Sequence, residues 1–112
     1  KRIAESICSE SFIKRIFTEN EILYCNNKNV TKAQSYAARF AAKEAFFKAL
    51  GTGMRDGMSF NEIEITNDKL GKPSIKLYGA VLEEYKKHDI KKIHVSLAHL
   101  LEWAQAFVVL EK

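Results

Sequence analysis

Two charged side chains in one predicted helix are the residues best placed to do chemistry. Glu44 and Lys48 lie four positions apart in the run 39–53, which is rich in alanine and phenylalanine and ends in Gly51-Thr52-Gly53. At 3.6 residues per turn, this spacing stacks the carboxylate and the ammonium on one face of the helix. Such a pair could hold a divalent metal through Glu44 and a phosphate group through Lys48, side by side.

An ordinary surface ion pair is the alternative explanation for the same spacing. Glutamate four residues before lysine is the favoured order for a helix salt bridge, which contributes only about 0.2–0.5 kcal/mol. The apolar neighbours Ala37, Phe40 and Ala41 on the same stripe favour a functional pair, because a carboxylate among apolar groups needs a partner. The spacing alone leaves both explanations open.

Other candidate motifs are weaker. Gly51, Thr52 and Gly53 resemble a phosphate-binding loop, but they follow a helix, where the negative end of the dipole disfavours phosphate. A glycine helix cap is the simpler interpretation. His99 lies near Ser96 at the end of a predicted strand, yet no aspartate has the spacing of a catalytic triad. The histidines and cysteines form no zinc-binding pattern.

The elements that must position this helix come from the hydrophobic pattern. Apolar residues at helical spacing predict a first helix over residues 1–17, and the capping box at 18–21 begins a short second helix that ends near Cys25. A second capping box at 31–34 is expected to begin the longest helix. Seven alanines favour that helix, and we extend it to Leu50, with Gly51 as its cap.

After residue 59 the apolar period changes from helical to alternating. We expect one hairpin from a strand that includes Phe60, Ile63 and Ile65 and a second strand at 75–77, joined by the turn 67–73. An amphipathic helix over 78–88 and a hairpin of strands 93–99 and 104–110 complete the chain. The prediction is an α+β domain in which the alanine-rich helix packs on a mainly antiparallel sheet.

Composition limits the classes of partner. The chain of 112 residues forms one domain, carries a net charge of +4 and has a pI near 9.1, which suits an acidic partner. Its basic residues form no stripe interleaved with aromatics, so a nucleic-acid-binding module is disfavoured. No apolar stretch approaches the roughly 20 residues of a membrane helix. Cys8 and Cys25 lack a CxxC partner, and we expect reduced thiols in a cytoplasmic protein.

Three blocks of sequence together resemble one family. The blocks are residues 39–53, residues 60–65 followed by Gly71-Lys72-Pro73, and residues 94–99 with 104–111. They are similar to the signature, the following segment and the C-terminal hairpin of the holo-acyl-carrier-protein synthase family. The resemblance covers essentially the whole chain. It implies the 4′-phosphopantetheinyl transferase fold and a homotrimer with active sites across subunit interfaces.

The resemblance also implies an activity and its residues. The activity is transfer of the 4′-phosphopantetheine arm of coenzyme A to a serine of apo-acyl carrier protein, as in fatty acid biosynthesis, with release of adenosine 3′,5′-bisphosphate. Glu44 falls on the family's Mg²⁺-ligand glutamate and Lys48 on its phosphate-contacting lysine. Arg2 and Arg15 match the helix that docks the carrier protein. The positions that match the coenzyme A pocket are Arg39, Phe40, Lys48, Gly51, Lys72, Pro73 and His99.

One departure from the family concerns the metal. The family's second Mg²⁺ ligand is an aspartate in a Gly-Thr-Asp motif, on an N-terminal strand that would precede Lys1. We therefore expect the chain as given to lack this strand and to hold half of the metal site. A catalytically silent homologue that binds coenzyme A or carrier protein is the alternative to an active transferase.

Overall fold

The structure, a computed structural model, describes residues 10–28, 31–53, 57–99 and 104–111. Three helices come first, followed by two hairpins with a helix between them. The elements are α1 (Glu10–Ile16), α2 (Glu19–Asn26), α3 (Lys32–Leu50), a 3₁₀ turn (Phe60–Glu62), β1 (Ile63–Asn67), β2 (Pro73–Leu77), α4 (Gly79–Lys86), β3 (Lys92–His99) and β4 (Ala104–Glu111). The predicted α+β order is confirmed.

Of the two predicted capping boxes, the first is confirmed and the second is wrong. Thr18 Oγ1 accepts a hydrogen bond from Glu21 N at 3.2 Å, and Glu21 Oε1 accepts one from Thr18 N at 2.9 Å, which begins α2. Thr31 instead has φ −98° and ψ 16°, and its hydroxyl donates to Lys28 O at 3.4 Å. Because an N-cap side chain needs extended backbone to reach its amides, Thr31 makes no cap, and α3 begins at Lys32.

The central helix α3 spans 19 residues and ends as the sequence predicts. Gly51 takes φ 87° and its N–H bonds the carbonyls of Phe47 and Lys48, which stops the helix. The side chains on one face are buried against the rest of the protein, and they include the apolar residues Ala42, Phe46, Phe47 and Leu50. Because this face is buried, the side chains on the opposite face of α3 are exposed to solvent.

Both hairpins are antiparallel, as expected, and each forms a two-stranded sheet. Ile65 pairs with Ile75 in the first hairpin, and Val95 pairs with Val108 in the second. The prediction that Phe60 belongs to the first strand is wrong. Glu62 Oε1 accepts a hydrogen bond from Ser59 N at 3.2 Å, which folds residues 60–62 into a 3₁₀ turn before β1. The Phe60 ring then packs against Phe47 at 5.5 Å between centroids.

Two apolar clusters hold α3 in place. One joins α3 to β1 and α4 through Phe46, Ile63 and Val81, with the inner faces of the other strands packed around it. The other joins α3 to α1 and α2 through Phe17 and Tyr36, whose ring centroids are 4.8 Å apart. The alanine-rich helix therefore packs on the strands, as predicted, and its contact with α1 and α2 is added by the structure.

A fully buried ion pair joins α3 to α2. Lys43 Nζ is 2.7 Å from Glu21 Oε1 and also donates to the carbonyl oxygens of Phe60, at 3.0 Å, and Ile63. The other carboxylate oxygen of Glu21 accepts the N–H of Ile65 at 2.8 Å. Burial lowers the pKa of Lys43, and the Glu21 carboxylate opposes that shift. Each charge is thus fully hydrogen-bonded, which is the condition for tolerating it in a core.

Candidate functional site

A polar cleft of about 230 Å³ opens between the N-terminal helices and the first hairpin. Its residues come from five elements and the turns beside them, so it exists only when the helices and hairpins are assembled. They are Tyr24, Lys28, Thr31, Ser35, Ala38, Arg39, Asn67, Gly71, Pro73 and Leu97. Arg39 and Pro73, both assigned to the coenzyme A pocket from the sequence, therefore meet in one cleft.

Arg39 is the central side chain of the cleft and is almost fully buried, with 3% of its surface exposed. Its Nη1 donates to Ser35 Oγ at 3.1 Å and its Nη2 donates to Asn67 Oδ1. Its Cζ lies 4.2 Å from the centroid of the Tyr24 ring. Nε has no hydrogen-bond partner among the described residues. A buried cation with an unused donor is suited to an anion.

A second cation lies at the same cleft. Lys28 Nζ is 4.5 Å from the centroid of the Tyr24 ring, so one aromatic ring contacts both Lys28 and Arg39. Lys28 is exposed, whereas Arg39 is buried. The cleft thus combines a buried and an exposed positive charge, which is an arrangement suited to a phosphorylated ligand.

The turn between β1 and β2 forms one wall of the cleft. Asp68 Oδ1 accepts hydrogen bonds from Leu70 N at 2.9 Å and Lys72 N at 2.8 Å, and Asn67 Nδ2 donates to Gly71 O at 2.9 Å. Lys72 is exposed at this turn. The breaker-rich segment 67–73 is therefore an ordered turn that presents Lys72 and Pro73, and the prediction of a hairpin connection is confirmed.

Glu44 and Lys48 lie on the outward face of α3. At about 100° per residue, Glu44 is about 140° and Lys48 about 180° around the helix from Arg39. Both side chains are exposed, and neither has an ion pair or hydrogen bond with any described residue. The ion pair considered as the alternative from the sequence is thus not formed within the described ranges. The carboxylate and the ammonium are both available to a ligand.

The donor chemistry of Glu44 fits part of a Mg²⁺ site. Mg²⁺ prefers oxygen ligands and is usually held by one or two carboxylates together with substrate phosphates and water. Glu44 supplies one carboxylate that has no partner among the described residues, on an exposed face beside a lysine that suits the phosphates. No group of three histidine, cysteine, aspartate or glutamate side chains converges within the described ranges. Glu44 would therefore act with ligands from outside those ranges.

The remaining predicted residues are spread over the surface of the domain. Phe40 is half-buried, 5.3 Å from Phe60 between ring centroids, and does not line the cleft. Gly51 is exposed at the end of α3, and Arg15 is exposed in the last turn of α1. The backbone of β3 ends at His99, two residues after Leu97 of the cleft. Arg2 lies outside the described residues.

The three side chains that contact Arg39 were missed by the sequence prediction. Ser35 lies one helical turn before Arg39, a spacing that could have indicated it. Tyr24 and Asn67 come from α2 and β1, and no local spacing relates them to Arg39. Cys25 lies behind Ser35, with its Sγ 3.3 Å from Ser35 Oγ, and burial raises the pKa of its thiol. The expectation of an unpaired cysteine in a helix is confirmed for Cys25, whereas Cys8 lies outside the described residues.

Comparison with known proteins gives the family. The sequence profile of the 4′-phosphopantetheinyl transferase superfamily matches residues 2–108. A holo-[acyl-carrier-protein] synthase from Geobacter sp. (strain M21) is 48% identical over 104 residues, which are 93% of this chain and 82% of the relative. The chain belongs to the 4′-phosphopantetheinyl transferase superfamily, as a member of its holo-[acyl-carrier-protein] synthase family. The resemblance expected from the three sequence blocks is confirmed, and the chain is an enzyme of this family.

Solved structures of holo-[acyl-carrier-protein] synthases have the same fold. The enzyme from Neisseria meningitidis is 36% identical and superposes with a TM-score of 0.84, covering 99% of this chain and 87% of the other. The enzyme from Helicobacter pylori, solved in complex with coenzyme A, is 30% identical with a TM-score of 0.82 and covers 98% and 91%. The predicted transferase fold is confirmed. Within the described residues, no helix has the length and apolar character needed to cross a bilayer.

Proposed function

We propose that this protein transfers the 4′-phosphopantetheine arm of coenzyme A to a serine of apo-acyl carrier protein in the cytoplasm, in service of fatty acid biosynthesis. The serine hydroxyl gives up its proton and its oxygen forms a bond to the β-phosphorus, while the bond from that phosphorus to the bridging oxygen breaks and that oxygen leaves on the α-phosphate of the nucleotide. The products are holo-carrier protein and adenosine 3′,5′-bisphosphate. The proposal rests above all on the unpaired Glu44 and Lys48 side chains on one exposed face of α3.

Glu44 would be the Mg²⁺ ligand contributed by this helix, and Lys48 would contact the phosphates. A bound Mg²⁺ would neutralise the charge of the phosphate oxygens during transfer. Lys48 is one turn further along α3 and projects from the same face, so its ammonium can bind a pyrophosphate oxygen beside the metal. Both charges stand clear of other described side chains, which leaves their hydrogen-bonding capacity to the substrate.

The rest of coenzyme A would be held by the cleft and by the other pocket residues that the family resemblance implies. Arg39 gives the cleft a buried positive charge, and Lys72 and Lys28 add exposed positive charges near it. Pro73 supplies an apolar wall. Phe40, Gly51 and His99 remain assigned to the pocket by resemblance alone. The phosphorylated nucleotide end is the part of coenzyme A that fits such a cationic cleft.

The carrier protein would dock on α1. Lys14 and Arg15 are exposed in its last turn, and Arg2 is assigned to the same surface by resemblance. The net charge of +4 gives a field that attracts an acidic carrier protein and raises its association rate at low salt. We expect no binding to nucleic acid.

A homotrimer would bring the two groups of pocket residues together. Arg39 and Glu44 project from faces of α3 about 140° apart, so one coenzyme A molecule would not contact both on a single subunit. It would contact Arg39 of one subunit and Glu44 of its neighbour in the trimer. The outer face of the β3–β4 hairpin offers a surface for that assembly. Phe107 and Val109 on this face are 63% and 57% exposed. Exposed apolar side chains side by side are typical of protein interfaces.

We predict that Phe107→Asp converts the trimer to a monomer, because a carboxylate buried at the interface would lack a partner. The wild-type protein should have about three times the mass of one 12.8 kDa chain in size-exclusion chromatography with light scattering. Leu70→Asp is the matched control, since Leu70 is 94% exposed on the other hairpin. A monomeric wild-type protein, or a trimeric Phe107→Asp variant, would contradict the assignment.

One experiment tests the transferase directly against the silent alternative. The protein is incubated with apo-acyl carrier protein, coenzyme A and Mg²⁺, and the mass of the carrier protein is measured by mass spectrometry. We expect a gain of one phosphopantetheine, abolished by EDTA. Binding of coenzyme A or carrier protein without that gain would support a homologue that has lost catalysis.

A further inference from the structure

We infer that Asn67 is a positioning residue that sets the affinity for coenzyme A by tying Arg39 to the turn that carries Lys72. This inference rests on the proposed function and adds a residue to it. Asn67 is the last residue of β1, where the strand passes into the turn. Its side-chain amide forms one bond to Arg39 of α3 and one to the turn that carries Lys72, and both segments supply positive charge at the cleft.

The two bonds of Asn67 use both ends of its amide. Its Oδ1 accepts a hydrogen bond from Nη2 of Arg39, and its Nδ2 donates to the carbonyl oxygen of Gly71 at 2.9 Å. Arg39 belongs to α3, whereas Gly71 directly precedes Lys72 in the turn. A single planar group therefore fixes the position of the guanidinium relative to the turn.

The other contacts of Arg39 cannot make this link. Ser35 Oγ lies in the same helix as Arg39, one turn earlier, and so orients the guanidinium only relative to α3. The Tyr24 ring belongs to α2 and contacts both Arg39 and Lys28. Among the described residues, Asn67 is the side chain that bonds both Arg39 and the hairpin turn.

The internal bonds of the turn leave its position open. Asp68 accepts from Leu70 N and Lys72 N, and its own N–H donates to Lys72 O at 3.0 Å. These bonds all lie between residues 68 and 72, so they give the turn its shape. The packing of β1 on α3 positions the hairpin as a whole, but neither it nor these bonds fix the turn relative to the Arg39 side chain. The Asn67 amide supplies that second constraint.

The consequence for the ligand is a defined separation between two cations. A nucleotide carrying several phosphate groups binds tightly when both charges are already at the right distance, because less ordering has to occur on binding. Asn67 itself is engaged with protein groups at both ends of its amide. Its removal should therefore weaken the binding of coenzyme A and leave the chemical step unchanged.

The test compares Asn67→Ala with Thr66→Ala. Thr66 is the preceding residue and loses one side-chain hydrogen bond, to Ser74 at 2.9 Å, so it reports what a lost bond does to the same hairpin. We expect Asn67→Ala to raise KM for coenzyme A about tenfold with kcat within twofold of wild type. Thr66→Ala should leave both constants within twofold. Thermal midpoints of the two variants should agree within a few degrees.

A second arm uses Lys72→Ala as background. If Asn67 acts by presenting Lys72, Asn67→Ala should raise KM by less than threefold once the lysine is gone, since coupled residues are not additive. The inference is overturned if Asn67→Ala leaves KM within twofold of wild type, if the loss appears in kcat, or if the tenfold effect persists without Lys72. Absence of transfer by the wild-type protein would instead refute the proposed function.

Discussion

Glu44→Gln is expected to lower the rate of phosphopantetheine transfer on the order of 100- to 1000-fold without unfolding the protein. Lewis-acid stabilisation by a metal is worth several kcal/mol, and each 1.36 kcal/mol corresponds to tenfold in rate. Glu44 is exposed and has no partner among the described residues, so stability should change by less than about 0.5 kcal/mol. The rate is measured as holo-carrier protein formed at saturating coenzyme A and several Mg²⁺ concentrations.

The matched control for this variant is Glu83→Gln. Glu83 is also an exposed helical carboxylate, but it lies on α4 and faces Lys86 at 3.8 Å. Its loss should leave the rate within twofold of wild type, because exposed pairs of this kind contribute little. If Glu44→Gln turns over at the wild-type rate at every Mg²⁺ concentration, Glu44 is not a ligand of the metal.

Lys43→Met is expected to lower the free energy of unfolding by about 3–5 kcal/mol. The neighbouring variant Glu44→Gln, by contrast, should affect the rate and not the stability. Lys43→Met leaves the Glu21 carboxylate buried without its countercharge, and breaking a buried pair from one side has a cost of this size. Phe60 O and Ile63 O also lose their donor. The measurement is urea unfolding, in which the midpoint should fall by more than 1 M at the slope of about 1–3 kcal/mol/M typical of small domains.

Two further variants distinguish the effect of leaving a buried charge unpaired from the effect of simply replacing a lysine of α3. Lys32→Met changes an exposed lysine of α3 and should leave the midpoint almost unchanged. The double variant Lys43→Met with Glu21→Gln removes both charges and should regain part of the lost stability, because a neutral amide has a smaller desolvation penalty than a carboxylate. A Lys43→Met variant within 1 kcal/mol of wild type would show that the pair contributes little.

Local sequence signals were sufficient for the elements with a regular apolar period. The boundaries of α3 follow from its alanines and from Gly51, whose φ of 87° is the conformation that a terminal glycine favours. The Thr18 capping box and the turn at 67–73 were equally predictable. The outward position of Glu44 follows only in part from spacing, because 3.6 residues per turn place it about 160° from Phe46 but only about 60° from Phe47.

The cap at Thr31 is a local prediction that is wrong, and the sequence analysis missed two side chains whose contacts lie between distant segments, Lys43 and Asn67. Thr31 has the residue type of a cap, yet its backbone is not extended and its hydroxyl donates to Lys28 O. Lys43 has the residue type of a surface position, but Glu21 and two carbonyls make its burial tolerable. Asn67 meets Arg39 across 28 positions of sequence. No alternation or helical period contains this information.

The hydrogen bonds of the Glu21 carboxylate predict how α2 detaches from the rest of the fold. The carboxylate oxygens hold Nζ of Lys43 in α3 and the amide of Ile65 in β1, which is 44 positions away. The helix that carries Glu21 cannot lift away without releasing that amide to solvent. Hydrogen exchange at the Ile65 amide should therefore report the detachment of α2 and not the fraying of the hairpin, so a helix and a distant strand exchange as one cooperative unit.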